Sequence, residues 1–204
     1  KIAKIIYASS SSVYGHQSNK KFSEKDKIKK INNFYALSKI SNEELAKFYS
    51  DKFNIKSIGL RFFTLYGPFG RPDMSYFIFV NNIKSNKNIY LYNKGNYIRD
   101  FTYIDDILQP FFYIIKNINK KKFKSIYNIG SGKPIKIKNF LNKIETILGK
   151  KSKIIMKPTR SFEMKKTYSN TTLSKKDLKI RQTTKIEKGL SKFIDWHNNY
   201  FGSN

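Results

Sequence analysis

Tyr35 and Lys39 stand four residues apart in a stretch that contains neither glycine nor proline. On an α-helix, this spacing puts both side chains on one face. A free phenol has a pKa of about 10, but a lysine ammonium one turn away stabilises the phenolate, which can then accept a proton from a hydroxyl group. In a chain so rich in tyrosine and lysine, the spacing by itself is better explained by two residues on a solvated helix face.

A run of serines before this pair changes that judgement. Residues 8–15 read Ala-Ser-Ser-Ser-Ser-Val-Tyr-Gly and directly follow the apolar residues 2–7, which predict a buried strand. Ligands of open parallel sheets bind beyond the carboxyl ends of the strands, so these hydroxyl groups are expected at a ligand site. The strand, the serine run and the Tyr-x-x-x-Lys helix together are much more specific than any one of them.

The remaining sequence alternates between predicted strands and helices. The patterns predict strands at 2–7, 55–63, 89–92, 127–129 and 154–156, and helices at about 34–53, 75–85, 105–117, 138–148 and 185–200. This alternation predicts an α/β fold with a mostly parallel sheet.

The composition excludes several kinds of protein and site. The chain has no cysteine, so it forms no disulfide and no thiolate metal site. It has no apolar run of about 18 residues, so we expect no membrane-spanning helix and a cytoplasmic protein. His16 and His197 are isolated from other candidate ligands, and we expect both at polar surface positions and no metal site.

The net charge of +27 suggests nucleic-acid binding, but the type of basic residue argues against it. Only five of the 41 basic residues are arginine, and lysine is spread over the whole chain beside many Asn, Ile, Tyr and Phe residues. A coding bias that fills solvated positions with lysine explains this pattern, so we expect no specific nucleic-acid partner. The few arginines then mark positions where a planar, two-pronged cation is needed.

Two further stretches have simple interpretations. Lys120 to Lys124 is predicted to be a solvated loop. Gly130-Ser131-Gly132-Lys133-Pro134 lacks the spacing of a phosphate-binding loop, and we expect a turn that follows the strand at 127–129.

Four motifs together carry a resemblance to a known family. They occupy residues 7–15, 35–39, 60–68 (Leu-Arg-Phe-Phe-Thr-Leu-Tyr-Gly-Pro) and 99–106 (Arg-Asp-Phe-Thr-Tyr-Ile-Asp-Asp). In this order they resemble the extended short-chain dehydrogenases that modify nucleotide sugars, over essentially the whole chain. The sequence Gly-Arg-Pro-Asp-Met at 70–74 makes it most similar to the UDP-glucuronate 4-epimerases.

The resemblance implies an incomplete Rossmann-like domain with a doubly wound parallel sheet, plus a smaller α/β substrate-binding domain. Residues 1–66 would be the C-terminal part of the NAD-binding domain, 67–98 and 120–204 the nucleotide-sugar domain, and 99–119 a segment returning to the first domain. The glycine-rich turn with which the family opens is absent from this sequence, so we expect the N-terminal part to be missing and the isolated chain to bind NAD weakly or not at all. A homodimer through the helix at 34–53 is also implied.

The resemblance further implies a catalytic mechanism. Tyr35, as phenolate, would take the proton from the sugar 4-hydroxyl while the C4 hydride passes to NAD, and the 4-keto sugar would turn over and receive the hydride on its other face. Ser10 would bind the 4-oxygen and relay the proton, and Lys39 would favour the phenolate and hold the nicotinamide ribose. Ser9 and Phe62 would join Tyr35 and Lys39 in contacting NAD.

The serine run also discriminates between reactions within the family. The 4,6-dehydratases carry Asp-Glu where this chain has Ser11-Ser12, and decarboxylating relatives carry glutamate at the position of Ser12. Without these carboxylates, elimination lacks its acid and base, whereas epimerisation needs only hydride and proton transfer. The resemblance therefore favours epimerisation, with Ser11 and Ser12 contacting the sugar.

Other substrate contacts follow from the same resemblance. Arg99 would grip the diphosphate, and Thr64 and Arg71 would face the sugar carboxylate. Arg160 and Glu163 fall where relatives place a second phosphate-binding arginine and a ribose-binding acid. Tyr92 is either a stacking partner for uracil or an ordinary strand aromatic.

Three functions stay open at this point. The favoured one is C4 epimerisation of UDP-glucuronate to UDP-galacturonate. A UDP-glucose or UDP-N-acetylglucosamine 4-epimerase is the alternative of the same class. A basic binding protein on a degenerate, non-catalytic epimerase scaffold is the alternative of a different class.

Overall fold

The structure is a computed structural model that describes residues 4–15, 21–28, 31, 33–160, 163–180 and 183–202. Its helices are α1 Phe34–Phe53, α2 Ser75–Lys84, α3 Asp105–Asn117, α4 Ile137–Leu148, α5 Thr172–Leu178 and α6 Ile186–Phe201. Its strands are β1 Lys4–Ser10, β2 Lys56–Phe62, β3 Thr64–Tyr66, β4 Asn88–Tyr92, β5 Ile98–Arg99, β6 Phe101–Tyr103, β7 Ile126–Ile129, β8 Ile135–Lys136 and β9 Lys153–Lys157. The predicted α/β fold is confirmed.

The site is built on a three-stranded parallel sheet in the order β1-β2-β7. The first two strands pair in parallel, with Lys4 opposite Lys56 and Ser10 opposite Phe62, in agreement with the predicted mostly parallel sheet. The first strand continues three residues beyond the predicted end at Tyr7, so Ser9 and Ser10 belong to the strand and not to the loop after it.

The predicted domain division needs one correction, at β7. Residues 120–204 were expected in the nucleotide-sugar domain, yet β7 pairs in parallel with β2 in the first sheet. Its side chains Tyr127 and Ile129 are buried in one cluster with Ile58 and Leu60 of β2, and α3 and α5 cover that cluster. A short, mostly apolar strand is buried most completely in a sheet that helices cover. The sheet of β1 and β2 is such a sheet, which explains why β7 joins it. The other domain boundaries stay predictions.

A second apolar core lies between α2, α4, α6 and the strands β3, β4 and β6. Its centre is a stack of Phe101 on Phe140, with ring centroids 3.7 Å apart and planes 4° from parallel. The strands here form the parallel pairs β3–β6 and β4–β9 and the antiparallel pair β5–β8. This core carries the residues that line the far side of the cleft described below.

The turn at 130–134 is confirmed, and a buried carboxylate holds it. Asp100 is fully buried and accepts hydrogen bonds from the backbone N–H groups of Ser131 (3.0 Å), Gly132 (3.2 Å) and Ser169 (2.9 Å). The hydroxyls of both serines donate to it as well. The backbone donors of this turn thus bind a carboxylate of the same chain, as expected for a turn that is not a phosphate-binding loop.

Replacing Asp100 by asparagine should lower the free energy of unfolding by about 2–5 kcal/mol. An amide keeps one acceptor oxygen and turns an NH₂ group towards backbone N–H donors, so several of the five hydrogen bonds are lost. Thermal unfolding of the protein measures the effect. Asp195→Asn removes the same charge from an exposed position on α6 and should change stability by less than about 0.5 kcal/mol. Equal melting temperatures for the two variants would contradict the role given to Asp100.

His197 was expected at the surface, and this prediction is wrong. Its side chain is 3% exposed and lies within the second core. Its ring lies against Phe77, Phe193 and Phe201, and its Nε2 is hydrogen-bonded to Asn81. Burial, followed by the charge of a nearby lysine, lowers its pKa, which favours the neutral imidazole. The expectation failed because the apolar face of α6 includes this position. His16 lies outside the described residues.

The exposed surface of α1 carries an unusual number of large apolar side chains. Leu37, Leu45, Phe48, Tyr49 and Phe53 are each between 46% and 56% exposed. The homodimer through this helix stays a prediction. No helix in the described part of the chain has the length and apolar content needed to cross a membrane.

Candidate active site

A cleft of about 770 Å³ opens beyond the carboxyl ends of β1 and β2, where ligands of parallel sheets bind. Most of the predicted site residues line it. They are Ser9, Ser10, Ser11, Ser12, Tyr35, Lys39, Phe62, Thr64, Arg71 and Arg99. No aspartate or glutamate is among the described residues that line the cleft.

The serine run leaves the sheet and forms a short 3₁₀ turn, Ser11–Tyr14. The Ser10 hydroxyl accepts from the backbone N–H of Ser12 at 3.1 Å and donates to the Ser12 hydroxyl at 3.0 Å. Val13 and Tyr14 are fully buried and anchor the turn, which ends at Gly15 with a φ of 60°. The hydroxyl groups of this turn are therefore held in fixed positions along one wall of the cleft.

Tyr35 and Lys39 project from the first turns of α1. The Asn33 side chain caps this helix by accepting from the backbone N–H of Ala36 at 2.8 Å. The Lys39 ammonium nitrogen lies 5.7 Å from the centre of the Tyr35 ring and donates to the Ala8 carbonyl oxygen at 3.1 Å. The lysine thus joins α1 to the end of β1 and places a positive charge beside the phenol, an arrangement suited to proton transfer.

A buried ion pair fixes α1 against both strands. Glu43, one turn after Lys39, accepts from Arg61 Nε at 2.8 Å and Nη2 at 2.6 Å, and from the Ser9 hydroxyl at 2.5 Å. Both charged side chains are less than a tenth exposed. Burial alone would lower the pKa of Arg61, but the hydrogen bonds and charge interactions with Glu43 and Tyr14 together outweigh burial and raise that pKa overall. Ser9, which was predicted to bind the cofactor, uses its hydroxyl in this network.

The loop between β3 and α2 brings Arg71 to the cleft. Its guanidinium makes a two-pronged ion pair with Asp73, with Nε–Oδ1 at 3.0 Å and Nη2–Oδ2 at 2.8 Å. The hydrogen bond and charge of Asp73 raise the pKa of Arg71, and the same contacts lower the pKa of Asp73. Both side chains are two thirds exposed.

The other predicted substrate residues form a separate group around Arg99. Arg99 lines the cleft and forms an ion pair with Glu163 at 2.9 Å. Burial lowers its pKa, and the Glu163 carboxylate opposes that shift. The Arg160 guanidinium lies 3.6 Å from the centre of the Tyr92 ring. Arg160, Glu163 and Tyr92 are not among the residues that line the cleft.

Tyr97 links these two pairs, and sequence reasoning missed it. The Arg99 guanidinium lies 5.3 Å from the Tyr97 ring centre, and the Tyr97 hydroxyl accepts from the backbone N–H of Arg160 at 2.9 Å. Glu43, Arg61 and Asp100 were missed as well. For the Glu43 pair a signal existed: an arginine in an apolar strand needs a buried carboxylate, and Glu43 lies on the helix face of Tyr35 and Lys39.

Three comparisons with known proteins bear on this site. Residues 1–130 match the NAD dependent epimerase/dehydratase family. An uncharacterised protein of Methanocaldococcus jannaschii is 44% identical over 195 residues, which cover 96% of this chain and 59% of that protein. UDP-glucuronate 4-epimerase 4 of Arabidopsis thaliana is 36% identical over 211 residues, which cover 97% of this chain and 48% of that protein.

Among solved structures, one similar chain is the UDP-glucuronic acid 4-epimerase of Bacillus cereus in complex with UDP-glucuronic acid and NAD. Its TM-score is 0.91 at 29% identity, over 98% of this chain and 63% of that chain. The chain described here belongs to the NAD dependent epimerase/dehydratase family. It spans less than two thirds of the length of each of these relatives.

Glu43→Gln should lower the free energy of unfolding by about 3–5 kcal/mol, because it leaves the Arg61 charge buried without its partner. Urea unfolding of the protein measures this loss. Glu44→Gln makes the same chemical change at the next, exposed residue of α1 and should cost less than about 0.5 kcal/mol. Similar unfolding midpoints for the two variants would show that the ion pair does not hold α1 in place.

Proposed function

We propose that this chain carries the catalytic and sugar-binding part of an NAD-dependent UDP-sugar 4-epimerase that acts on UDP-glucuronate. One observation carries the proposal: Tyr35, Lys39 and the serine run line one cleft whose described lining contains no carboxylate. Elimination of water needs an acid and a base, and the residues at this wall are hydroxyls instead. Epimerisation at C4 needs one proton acceptor, one hydroxyl relay and a redox cofactor.

The residues of this chain have distinct tasks in that reaction. Tyr35 accepts the proton of the sugar 4-hydroxyl, and the Lys39 ammonium nitrogen lies 5.7 Å from the centre of its ring. Ser10 binds the 4-oxygen, and its contact with the Ser12 hydroxyl keeps it oriented. When the keto group at C4 is reduced to the epimeric hydroxyl, Tyr35 returns the proton to the 4-oxygen.

The chain's own residues fit one end of NAD. The cleft lies at the carboxyl ends of parallel strands, and Tyr35 and Lys39 offer a hydroxyl and an ammonium for ribose hydroxyl groups at its edge. Ser9 and Phe62 complete the wall on the strand side. When bound there, NAD supplies the chemistry of accepting and returning hydride at the sugar C4. The glycine-rich turn for a pyrophosphate is not in this sequence.

Tyr35→Phe should reduce turnover of the UDP-sugar about 10²- to 10⁴-fold in the complete enzyme, because the proton acceptor is removed. Tyr49→Phe is the matched control, since Tyr49 is on the same helix and does not line the cleft. A coupled assay of C4 epimerisation measures both variants. Near-normal turnover in Tyr35→Phe would rule out Tyr35 as the proton acceptor and with it this mechanism.

The proposed substrate rests on Arg71. In a chain that uses lysine almost everywhere, this exposed position of the cleft lining is an arginine, and Thr64 lines the same cleft. A guanidinium can hold a planar carboxylate with two hydrogen bonds, and a uronate offers such a group where a neutral hexose does not. Arg99, which also lines the cleft and has a side chain only 13% exposed, is assigned to the diphosphate that both kinds of sugar nucleotide carry.

Arg71→Ala should therefore lower kcat/KM for UDP-glucuronate by about 10- to 150-fold and affect UDP-glucose much less. Arg99→Ala should harm both substrates about equally, so it is the matched control for loss of an arginine from the cleft. The measurement is a comparison of kcat/KM for two substrates across two variants. If Arg71→Ala lowers kcat/KM by the same factor for both substrates, a UDP-glucose or UDP-N-acetylglucosamine 4-epimerase becomes the better assignment.

A further inference from the structure

We propose that Asp73 is a positioning residue that holds the Arg71 guanidinium for the sugar carboxylate, and so sets the preference for a uronate over a neutral sugar. This inference rests on the function proposed above. It arises from an ion pair between an arginine at the cleft and a carboxylate two residues further along the chain.

Asp73 lies just before helix α2, at a position where an aspartate could cap the N-terminus of the helix. Acidic and polar side chains just before a helix accept hydrogen bonds from its first backbone N–H groups. Helix α2 begins at Ser75, and its N-terminus has no side-chain cap. Both carboxylate oxygens of Asp73 bind Arg71 instead, at 3.0 and 2.8 Å. The carboxylate is thus used to orient a side chain and not to stabilise the helix.

The backbone beneath this pair is fixed independently. The Met74 N–H donates to the Arg71 carbonyl oxygen at 3.1 Å, which closes the turn. A Cβ atom on Gly70 would lie 1.6 Å from the Tyr76 hydroxyl oxygen, and one on Gly67, where φ is +143°, would lie 2.6 Å from the Ile104 side chain. The loop is therefore packed closely against α2 and the residues after β6. Its backbone needs no help from Asp73, and what the ion pair adds is the orientation of the arginine side chain.

A guanidinium carries five N–H donors, and Asp73 binds the edge formed by Nε and Nη2. The opposite edge, formed by Nη1 and the second donor of Nη2, is left for a second carboxylate, and Met74 Sδ lies 4.0 Å from Nη2 there. One arginine can therefore hold Asp73 and the substrate together. An arginine at an exposed position has many rotamers, and binding a ligand requires that one be selected. Asp73 makes that selection before the substrate arrives, and the benefit goes only to a substrate with a carboxylate at this place.

The test compares Asp73→Asn with the parent enzyme, both complete, on UDP-glucuronate and UDP-glucose. Asparagine has the same size but one acceptor oxygen, so it loses the two-pronged hold. We expect KM for UDP-glucuronate to rise about 2- to 10-fold, kcat to stay within about two-fold, and both constants for UDP-glucose to change less than about two-fold. Asp195→Asn, an exposed position on α6 outside the cleft lining, controls for the lost charge and should leave all four constants unchanged.

Two more variants separate positioning from a general effect on the fold. Asp73→Glu keeps the carboxylate and should recover part of the lost affinity. In an Arg71→Ala background, Asp73→Asn should have no further effect on KM, because the residue it orients is gone. Calorimetric titration with UDP-glucuronate checks that the change in KM is a change in binding.

The outcomes distinguish this inference from the proposed function. If Arg71→Ala is selective for UDP-glucuronate while Asp73→Asn leaves its KM unchanged or lowers it, the positioning role is wrong and the substrate assignment stands. An equal effect of Asp73→Asn in the presence and absence of Arg71 would also overturn the positioning role. If Arg71→Ala affects both substrates alike, the substrate assignment itself fails, and this inference fails with it.

Discussion

The buried carboxylate of Glu43 is the constraint on which the geometry of the cleft depends. A charge removed from water must be paired, and Glu43 finds its partners on two different strands, at Ser9 of β1 and Arg61 of β2. This requirement fixes both the rotation of α1 about its axis and its position along the strands. Tyr35 and Lys39 lie on the same helix two turns and one turn earlier, so they face the serine run as a consequence.

Asp100 imposes a corresponding constraint on other residues of the cleft. Its carboxylate gathers donors from the turn after β7 and from Ser169, two segments that are far apart in sequence. Its own carbonyl oxygen accepts from the Thr64 N–H at 3.0 Å, and its chain neighbour is Arg99. The positions of Thr64 and Arg99 in the cleft are thus tied to the same buried group. Two separate acids, each surrounded by donors, thus hold different residues of one site in place.

The sequence was sufficient for the parts of this structure that have a local signal. The spacing of apolar residues predicted α1 and α3 with the bounds that the structure shows, and the serine run and the Tyr-x-x-x-Lys pair, which the sequence singled out, line one cleft. It was insufficient where partners are distant in sequence. Asp100 resembles any surface acid until the fold brings its donors together, and the short strand β7 gives no indication of which sheet it joins. His197 was misjudged because one histidine on an apolar helix face gives only a weak periodic signal.

The few arginines of this chain lie at positions where a planar cation has a specific partner. Among 41 basic residues only five are arginine, and four of them are in the described part of the chain. Each of those four has a partner suited to a planar cation: Glu43 for Arg61, Asp73 for Arg71, Glu163 for Arg99, and the Tyr92 ring for Arg160. Lysine offers a single point of charge and cannot reproduce a two-pronged or stacked contact. Arginine is therefore kept at positions where a planar cation makes two-pronged or stacked contacts, whereas lysine occupies most other basic positions. Two of these arginines, Arg71 and Arg99, line the cleft. Under the proposed function, their planar guanidinium groups bind a substrate as well as a carboxylate of the protein.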